Sequence, residues 1–216
     1  LICWTYLNAR KAKLLDDLVV ATDSSEIKRA VENCGGEAIL TSTKHLSGTD
    51  RVAEAVKKFK KFKPELIINI QGDEPILSPE AINKLIQVMI SNQKITMGTV
   101  ATPVQRLEDI ENPNIVKVIF DKNNFAIYFS RSRIPFSRNK YDSYFRHIGV
   151  YAYRRDFLLQ YVKIKPTPLE LAEGLEQLRA LENGFKIKVI TGNFNSMSMD
   201  TKEDLARFRL ATEHAQ

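Results

Sequence analysis

Gln71-Gly72-Asp73-Glu74 sets an amide, a glycine and two carboxylates directly after an apolar run, Leu66-Ile67-Ile68. In an open α/β sheet ligands bind at the carboxyl ends of strands, and a carboxylate there can hold a hard cation against nucleotide phosphates. Asp73 suits that task, Gly72 lets the backbone approach a ligand, and the Gln71 amide can hydrogen-bond it. The same residues also fit a plain strand-to-helix turn, with Pro75 ending strand pairing and Ser78 capping a helix from Pro79. Ser47-Gly48-Thr49 offers a second ligand element, because backbone N–H groups at a helix start attract an anion. It equally fits an ordinary N-cap.

The elements that must position these residues follow from periodicity and turn chemistry. The pattern predicts a helix over 1–13, a strand over 17–23 and a helix over 25–33 stopped by Gly35-Gly36. A short strand over 37–41 and a loop over 45–51 feed a helix carrying Val52, Ala55 and Val56. The strand at 66–68, its branched residues suited to burial on both faces, leads to a helix over 78–92 and a strand over 97–104. After Pro113 the alternation gives way to strands over 115–120 and 125–130, joined by the turn residues Asp121-Lys122-Asn123-Asn124. A strand over 147–153, helices over 155–162 and 169–182, a strand over 186–190 and a helix over 201–214 complete the chain. This reads as one α/β domain over 1–216 with an embedded hairpin lobe at about 115–155. A doubly wound domain normally opens with a strand and a phosphate loop, so the pattern leads us to expect such a segment ahead of the first helix.

A chain of 216 residues is long enough to bury a real core. No apolar run reaches the length of a membrane span, and Cys3 and Cys34 form no disulfide framework or metal-ligand spacing, which favours a reduced cytoplasmic setting. The net charge of +6 favours anionic partners. Its densest run, Lys57-Lys58-Phe59-Lys60-Lys61-Phe62-Lys63, reads as the solvated end of a helix rather than a nucleic-acid surface.

Several pieces then coincide in order: Ser47-Gly48-Thr49-Asp50-Arg51, Gln71-Gly72-Asp73-Glu74-Pro75, Tyr128-Phe129-Ser130-Arg131, Arg146-His147-Ile148-Gly149-Val150-Tyr151, Leu175-Glu176-Gln177-Leu178-Arg179 and Asp200-Thr201-Lys202-Glu203-Asp204-Leu205. Over essentially the whole chain they resemble the 3-deoxy-manno-octulosonate cytidylyltransferases, the CMP-Kdo synthetases. The resemblance implies a Rossmann-like nucleotidyltransferase with a mostly parallel central sheet and a hairpin dimerisation lobe. It implies a cytoplasmic homodimer that transfers CMP from CTP to the acid sugar Kdo, releasing pyrophosphate, for lipopolysaccharide assembly. It also implies Mg2+ held by Asp73 and Asp200, with CTP contacts from Ser47, Gly48, Thr49, Gln71 and Gly72. The sugar-side positions it implies are Arg131, His147, Glu176 and Gln177.

The residues themselves allow other roles. Asp200-Thr201 with Glu203 is also a capping-box pattern. Arg131 can grip a sugar carboxylate as a guanidinium fork or be an ordinary surface arginine. His147, inside an apolar strand, also fits a satisfied structural histidine. Glu176 and Gln177 lie beside a stripe of Leu171, Leu175 and Leu178 on the expected 169–182 helix, where Gly174 costs about 1 kcal/mol against alanine. The family's opening segment, an Ala-Arg pair followed by Ser, Arg, Pro and Lys, has no match here, and we expect the chain as given to be catalytically incomplete. Ser198, Met199 and Lys202 also depart from the family pattern without removing a metal ligand. Other readings are CMP transfer to a sialic-acid-like or 8-amino Kdo sugar, and a non-catalytic nucleotide-binding or dimerisation module.

Overall fold

The computed structural model describes residues 1–196. Its centre is β4 (Met97–Pro103), buried at every position but its last. Met-Gly-Thr-Val-Ala-Thr shows no alternation because both faces of the strand are covered. On one face lies α4 (Pro79–Ser91), whose Ala81, Ile82, Leu85, Ile86 and Met89 are buried. Gly98 permits that approach, since a Cβ there would stand 3.1 Å from both Leu85 Cδ1 and Met89 Sδ. Burying each such large apolar side chain is worth about 1.5–3 kcal/mol.

The chain reaches this centre through α1 (Ile2–Ala9), β1 (Val19–Thr22), α2 (Ser25–Asn33), β2 (Glu37–Leu40), α3 (Gly48–Lys58) and β3 (Leu66–Asn69). It continues past β4 as α5 (Leu107–Glu111), β5 (Lys117–Phe120), β6 (Ala126–Ser130), β7 (Phe145–Arg154), α6 (Arg155–Tyr161), α7 (Pro168–Glu173), α8 (Leu178–Glu182) and β8 (Ile187–Thr191). The first helix ends at Ala9, short of the expected residue 13. The expected helix over 201–214 lies outside the described residues.

The α/β class is as expected, but the sheet is mixed rather than mostly parallel. Among the described residues β1 and β2 form a parallel pair, and the larger sheet runs β6-β5-β7-β4-β8, with β3 also on β7. β3 and β4 both run antiparallel to β7, and β8 runs parallel to β4. β3, β4, β5 and β8 therefore share one direction, and β7 lies among them in reverse. It arrives from the hairpin excursion instead of a helical crossover, and only a crossover would deliver it parallel.

The hairpin joins the main core instead of standing apart. Val118 and Phe129 pack with Met97, Ala101 and Tyr151, and Val150 is buried on the other side of the sheet. These residues are covered within the chain; Ile127 remains 59% exposed and Phe136 87%. The lysine-rich run behaves as a helix end. Lys58 pairs with Glu54 at 2.6 Å, Lys61 pairs with Asp17 at 2.8 Å, and Phe59 stacks edge-on with Phe62.

The expected single helix over 169–182 is two helices. Gly174 ends α7 in the left-handed region at φ 61°, so it caps a helix rather than interrupting one. Leu171 is 71% exposed and leaves the proposed stripe, while Leu175 and Leu178 stay buried. A buried bidentate pair clamps the two helices: Arg179 Nε and Nη2 donate to Glu170 Oε2 and Oε1 at 2.8 and 2.5 Å. The thiols of Cys3 and Cys34 meet where α1 packs on α2. No helix among the described residues is long and apolar enough to cross a membrane.

Candidate active site

The turn after β3 is closed by the Glu74 N–H donating to the Gln71 carbonyl at 3.2 Å. From α1, the Thr5 hydroxyl donates to Gly72 O at 2.8 Å and Asn8 Nδ2 to Leu77 O at 2.6 Å. Asp73 is exposed on this turn, whereas Glu74 points inward and is buried. Ser78 precedes α4 without making a side-chain cap, so the plain capping role is not what fixes the turn.

The Gln71 side chain links the turn to two other elements. A Cβ on Gly48 would lie 3.5 Å from Gln71 Oε1, and one on Gly149 would lie 3.6 Å from Gln71 Cγ. The amide therefore sits between the start of α3 and the middle of β7. Ser47 caps α3: its hydroxyl oxygen accepts the Asp50 N–H at 3.1 Å and donates to Asp50 Oδ2 at 3.0 Å. Gly48 is exposed, leaving its backbone open at the helix start, but Thr49 is buried. Its hydroxyl donates to Glu176 Oε2 at 3.1 Å.

Glu176 and Gln177 occupy the turn between α7 and α8. Tyr161 donates its hydroxyl to the Glu176 carbonyl at 2.7 Å. Burial pushes the Glu176 pKa up, opposed chiefly by the Thr49 hydrogen bond. Glu176 Oε1 and Gln177 Nε2 are buried with no hydrogen-bond partner among the described residues, as is Asn69 Nδ2 at the end of β3. Such groups cost about 1–3 kcal/mol each unless something satisfies them. These are the atoms in this region most in need of a polar ligand.

His147 lies on β7 with its Nε2 2.9 Å from the Thr99 hydroxyl, and its ring meets Phe129 and Tyr151. Burial pushes its pKa down to about 3, so the imidazole is neutral across the physiological range. Arg131 was expected to reach a ligand carboxylate, but its guanidinium is spent on backbone carbonyls. Nε donates to Glu173 O at 2.8 Å and Nη1 to Pro113 O at 3.1 Å. Its backbone N–H donates to Glu173 Oε2 at 2.9 Å, and its carbonyl accepts from the buried Lys117 ammonium. Arg131 thereby braces the hairpin exit against the helix that ends at Gly174. Asp200 lies outside the described residues.

Ser47–Thr49, Gln71–Gly72 and Glu176 are thus brought together, with His147 on the strand that also carries Gly149. Beside them a cavity of about 720 Å³ runs between β1 and β3, lined by Val19, Val20, Ile67 and Asn69 and reaching Gly48, Gln71 and Gly72 at one end. Its lining mixes apolar residues with charged ones, Asp16, Asp17, Lys63 and Glu65 among them. Sequence reasoning missed Arg146 and Ser196. Arg146 Nη2 donates to the Ser196 carbonyl at 3.2 Å, and Ser196 donates its hydroxyl to Glu74 Oε2 at 2.7 Å. The one sequence hint was a charged residue beside His147 in an otherwise apolar strand.

The sequence matches the cytidylyltransferase family over residues 1–189. It is 50% identical over 206 residues to a 3-deoxy-manno-octulosonate cytidylyltransferase of Fusobacterium nucleatum, covering 95% of this chain and 83% of that protein. It is 47% identical over 212 residues to the enzyme of the same name from Thermodesulfovibrio yellowstonii, covering 93% and 83%. A solved CMP:2-keto-3-deoxy-manno-octonic acid synthetase complexed with CTP superposes with a TM-score of 0.92 at 34% identity, covering 100% of this chain and 88% of that one. The 4-diphosphocytidyl-2C-methyl-D-erythritol synthase of Anaerococcus prevotii shares the fold at a TM-score of 0.63 and 14% identity, over 98% and 85%. High identity along nearly the full length, on a closely shared backbone, gives the assignment: the chain belongs to the 3-deoxy-manno-octulosonate cytidylyltransferase family.

Proposed function

We propose that the protein transfers CMP from CTP to Kdo, releasing pyrophosphate, and so supplies CMP-Kdo for lipopolysaccharide assembly in the cytoplasm. The observation that carries this reading is the 50% identity to a 3-deoxy-manno-octulosonate cytidylyltransferase across 95% of the chain. The convergence of Ser47–Thr49, Gln71 and Glu176 supports it from the side of geometry.

In this reaction a sugar hydroxyl forms a bond to the α-phosphorus of CTP while the bond to the bridging oxygen of the β-phosphate breaks. Pyrophosphate leaves with that electron pair, and the hydroxyl loses its proton. Little covalent help is required, so positioning and charge neutralisation carry the rate. The exposed backbone at Gly48 and the Gln71 amide packed beside it hold the nucleotide. The partnerless Glu176 Oε1 and Gln177 Nε2 hold sugar hydroxyls as acceptor and donor. His147, kept neutral, orients the sugar by hydrogen bonding rather than by charge.

The residues fit a magnesium ion in a specific sense. Among the described residues no group of three His, Cys, Asp or Glu side chains converges, so no all-protein cage is built. An exposed aspartate on a strand-end turn instead suits an ion that keeps waters and shares its remaining positions with phosphate oxygens. Asp73 would hold it, joined by Asp200, and a bound Mg2+ would supply Lewis-acid stabilisation of the phosphate charge. A homodimer completes the reading.

The test is pyrophosphate release from CTP, with and without Kdo, and with 8-amino Kdo as competitor. Kdo-dependent release, with weak competition by the amino sugar, is expected. Release that Kdo does not stimulate would overturn the assignment of substrate, and tighter use of the amino sugar would move it to that analogue.

A further inference from the structure

The two adjacent carboxylates of the Gln71–Pro75 turn face opposite ways. Asp73 is exposed, while Glu74 is only 8% exposed. Glu74 Oε2 accepts the Ser196 hydroxyl at 2.7 Å, and the carbonyl of the same serine accepts Arg146 Nη2 at 3.2 Å. The Glu74 charge also faces the Arg146 guanidinium, which Asp109 faces as well. One serine is therefore held between opposite charges, its O–H toward the carboxylate and its C=O toward the guanidinium. Three segments meet at this point: the turn after β3, the start of β7 and the chain beyond β8.

The path into Ser196 is pinned before it arrives. The Gly192 N–H donates to Ala101 O at 3.3 Å, the Phe194 N–H to Thr102 Oγ1 at 3.3 Å, and the Ser78 N–H to Asn195 O at 2.9 Å. Phe194 is buried against the α4 side of the sheet. The segment thus crosses the ends of β4 and α4 and terminates its described course on Glu74.

We infer that Glu74 is a positioning residue for the cation site, locking Ser196 and Arg146 together so that the turn bearing Asp73 holds one geometry. A turn that contains glycine is soft, yet a hard cation tolerates its ligands only within about 0.5 Å of the productive position. α1 secures the turn from one side through Thr5 and Asn8; Glu74 secures it from the other. If the turn needed only an inward anchor, an apolar side chain would serve at lower cost than a buried carboxylate. The carboxylate does what an apolar residue cannot, because it binds a hydroxyl and opposes a guanidinium at once.

This inference rests on the reading of Asp73 as a cation ligand, and the experiment separates the two. Mn2+ binding to the protein is titrated by electron paramagnetic resonance for the parent chain, Asp73→Asn, Glu74→Ala, Ser196→Ala and Ser196→Thr, with thermal melting recorded for each. Asp73→Asn should abolish the site. Glu74→Ala should weaken it about tenfold or more, as removal of outer-shell partners does. Ser196→Ala should weaken it by a smaller factor, and Ser196→Thr, which restores the hydroxyl, should recover it. If Glu74→Ala fails to fold, the Ser196 pair carries the test alone. Unchanged Mn2+ affinity in folded Ser196→Ala and Glu74→Ala, beside a lost site in Asp73→Asn, overturns the positioning role and leaves the ligand reading standing. Absence of an Asp73-dependent Mn2+ site in the parent protein overturns the ligand reading and the inference with it.

Discussion

The Thr49 hydroxyl donates a 3.1 Å hydrogen bond to Glu176 Oε2, joining the start of α3 to the α7–α8 turn. Residues expected on the nucleotide side and on the sugar side are thus in direct contact. Since Thr49 is 3% exposed, its side chain is committed to this contact, and the loop's ligand capacity falls to the backbone at Gly48.

Glu176→Gln tests what that contact does. Burial raises the carboxyl pKa, so the folded state binds a proton that the unfolded state has already released. The sign follows: this group favours folding most below its unfolded pKa, and the contribution is lost as pH rises toward the raised folded value. Glutamine removes the titration, so the mutant should gain melting temperature relative to the parent as pH goes from 4 to 7. CMP transfer should fall about tenfold or more, because a buried sugar acceptor becomes a donor-bearing amide. A melting difference that is flat across this pH range would rule out the buried titration.

His147 should shape the acid side of the stability curve. Its pKa is pushed down to about 3, so the neutral ring favours the fold fully above the unfolded value near 6.5. That contribution is lost as pH falls, with a slope approaching about 1.4 kcal/mol per pH unit from this group. His147→Gln should flatten the decline between pH 6.5 and 4 in a denaturant titration. Parallel curves for parent and mutant would mean that the ring ionises in place.

How much of this was legible in the sequence depended on how far apart the partners lie. The 121–124 turn was readable because its chemistry is local: Asp121 Oδ1 accepts the Asn123 and Phe125 N–H groups, and Asn124 adopts φ 58°. The end of β3 was readable because apolar run, glycine and carboxylates adjoin. The reversal of β7 was not, since a strand buried on both faces has the same composition in either direction. Gly174 was misread because Leu171, Leu175 and Leu178 keep a helical spacing across a break that the Arg179–Glu170 pair stabilises from outside the pattern. Glu74 and Ser196 lie 122 residues apart, beyond any local rule.

Arg179→Ala should be among the most damaging substitutions away from the cleft. It leaves the Glu170 carboxylate, itself 8% exposed, without its bidentate partner. Breaking one side of a buried pair costs about 3–5 kcal/mol. Urea unfolding should show a loss of that size, with weakened Kdo use because the Glu176–Gln177 turn is carried between the two clamped helices. A loss under about 1 kcal/mol would place the pair with weak surface bridges.

Self-association should run through the outer edge of β6, the last strand of the larger sheet among the described residues. That strand ends the sheet, and Ile127 on it is 59% exposed, with Phe136 87% exposed on the loop that follows. An exposed apolar edge is a template for pairing with a second chain. Light scattering at micromolar concentration should report a dimer, and Ile127→Lys should shift it to monomer without changing the melting curve of the monomer. A monomeric parent protein would end this idea.

The last prediction concerns Cys3 and Cys34, whose spacing along the chain offers no reason to pair them. The Cys3 thiol donates to Ala30 O at 3.1 Å and the Cys34 thiol to Val31 O at 3.2 Å, neighbouring carbonyls of α2. Each thiol also contacts the other, and that contact is the leading cause that raises the Cys3 pKa. Both side chains are half-buried, so a small reagent can reach them. A low-molecular-weight disulfide should therefore convert the pair by exchange: one thiolate attacks a reagent sulfur and expels a reagent thiolate, and the second attacks the mixed disulfide and expels the other. Two reagent thiols are released, carrying the two protons that the cysteines lose. The product staples α1 to α2 across a loop of some thirty residues, worth about 3–4 kcal/mol in the chain-entropy estimate. Since Thr5 on α1 already holds Gly72, the staple should also steady the turn that carries Asp73. Mass spectrometry after treatment should show the loss of two hydrogens and protection of both thiols from alkylation. The melting temperature should rise, and Cys34→Ser should abolish the rise while leaving Cys3 to form only the mixed disulfide. Stable mixed disulfides on both cysteines of the parent chain would show that their side chains cannot reach bonding geometry.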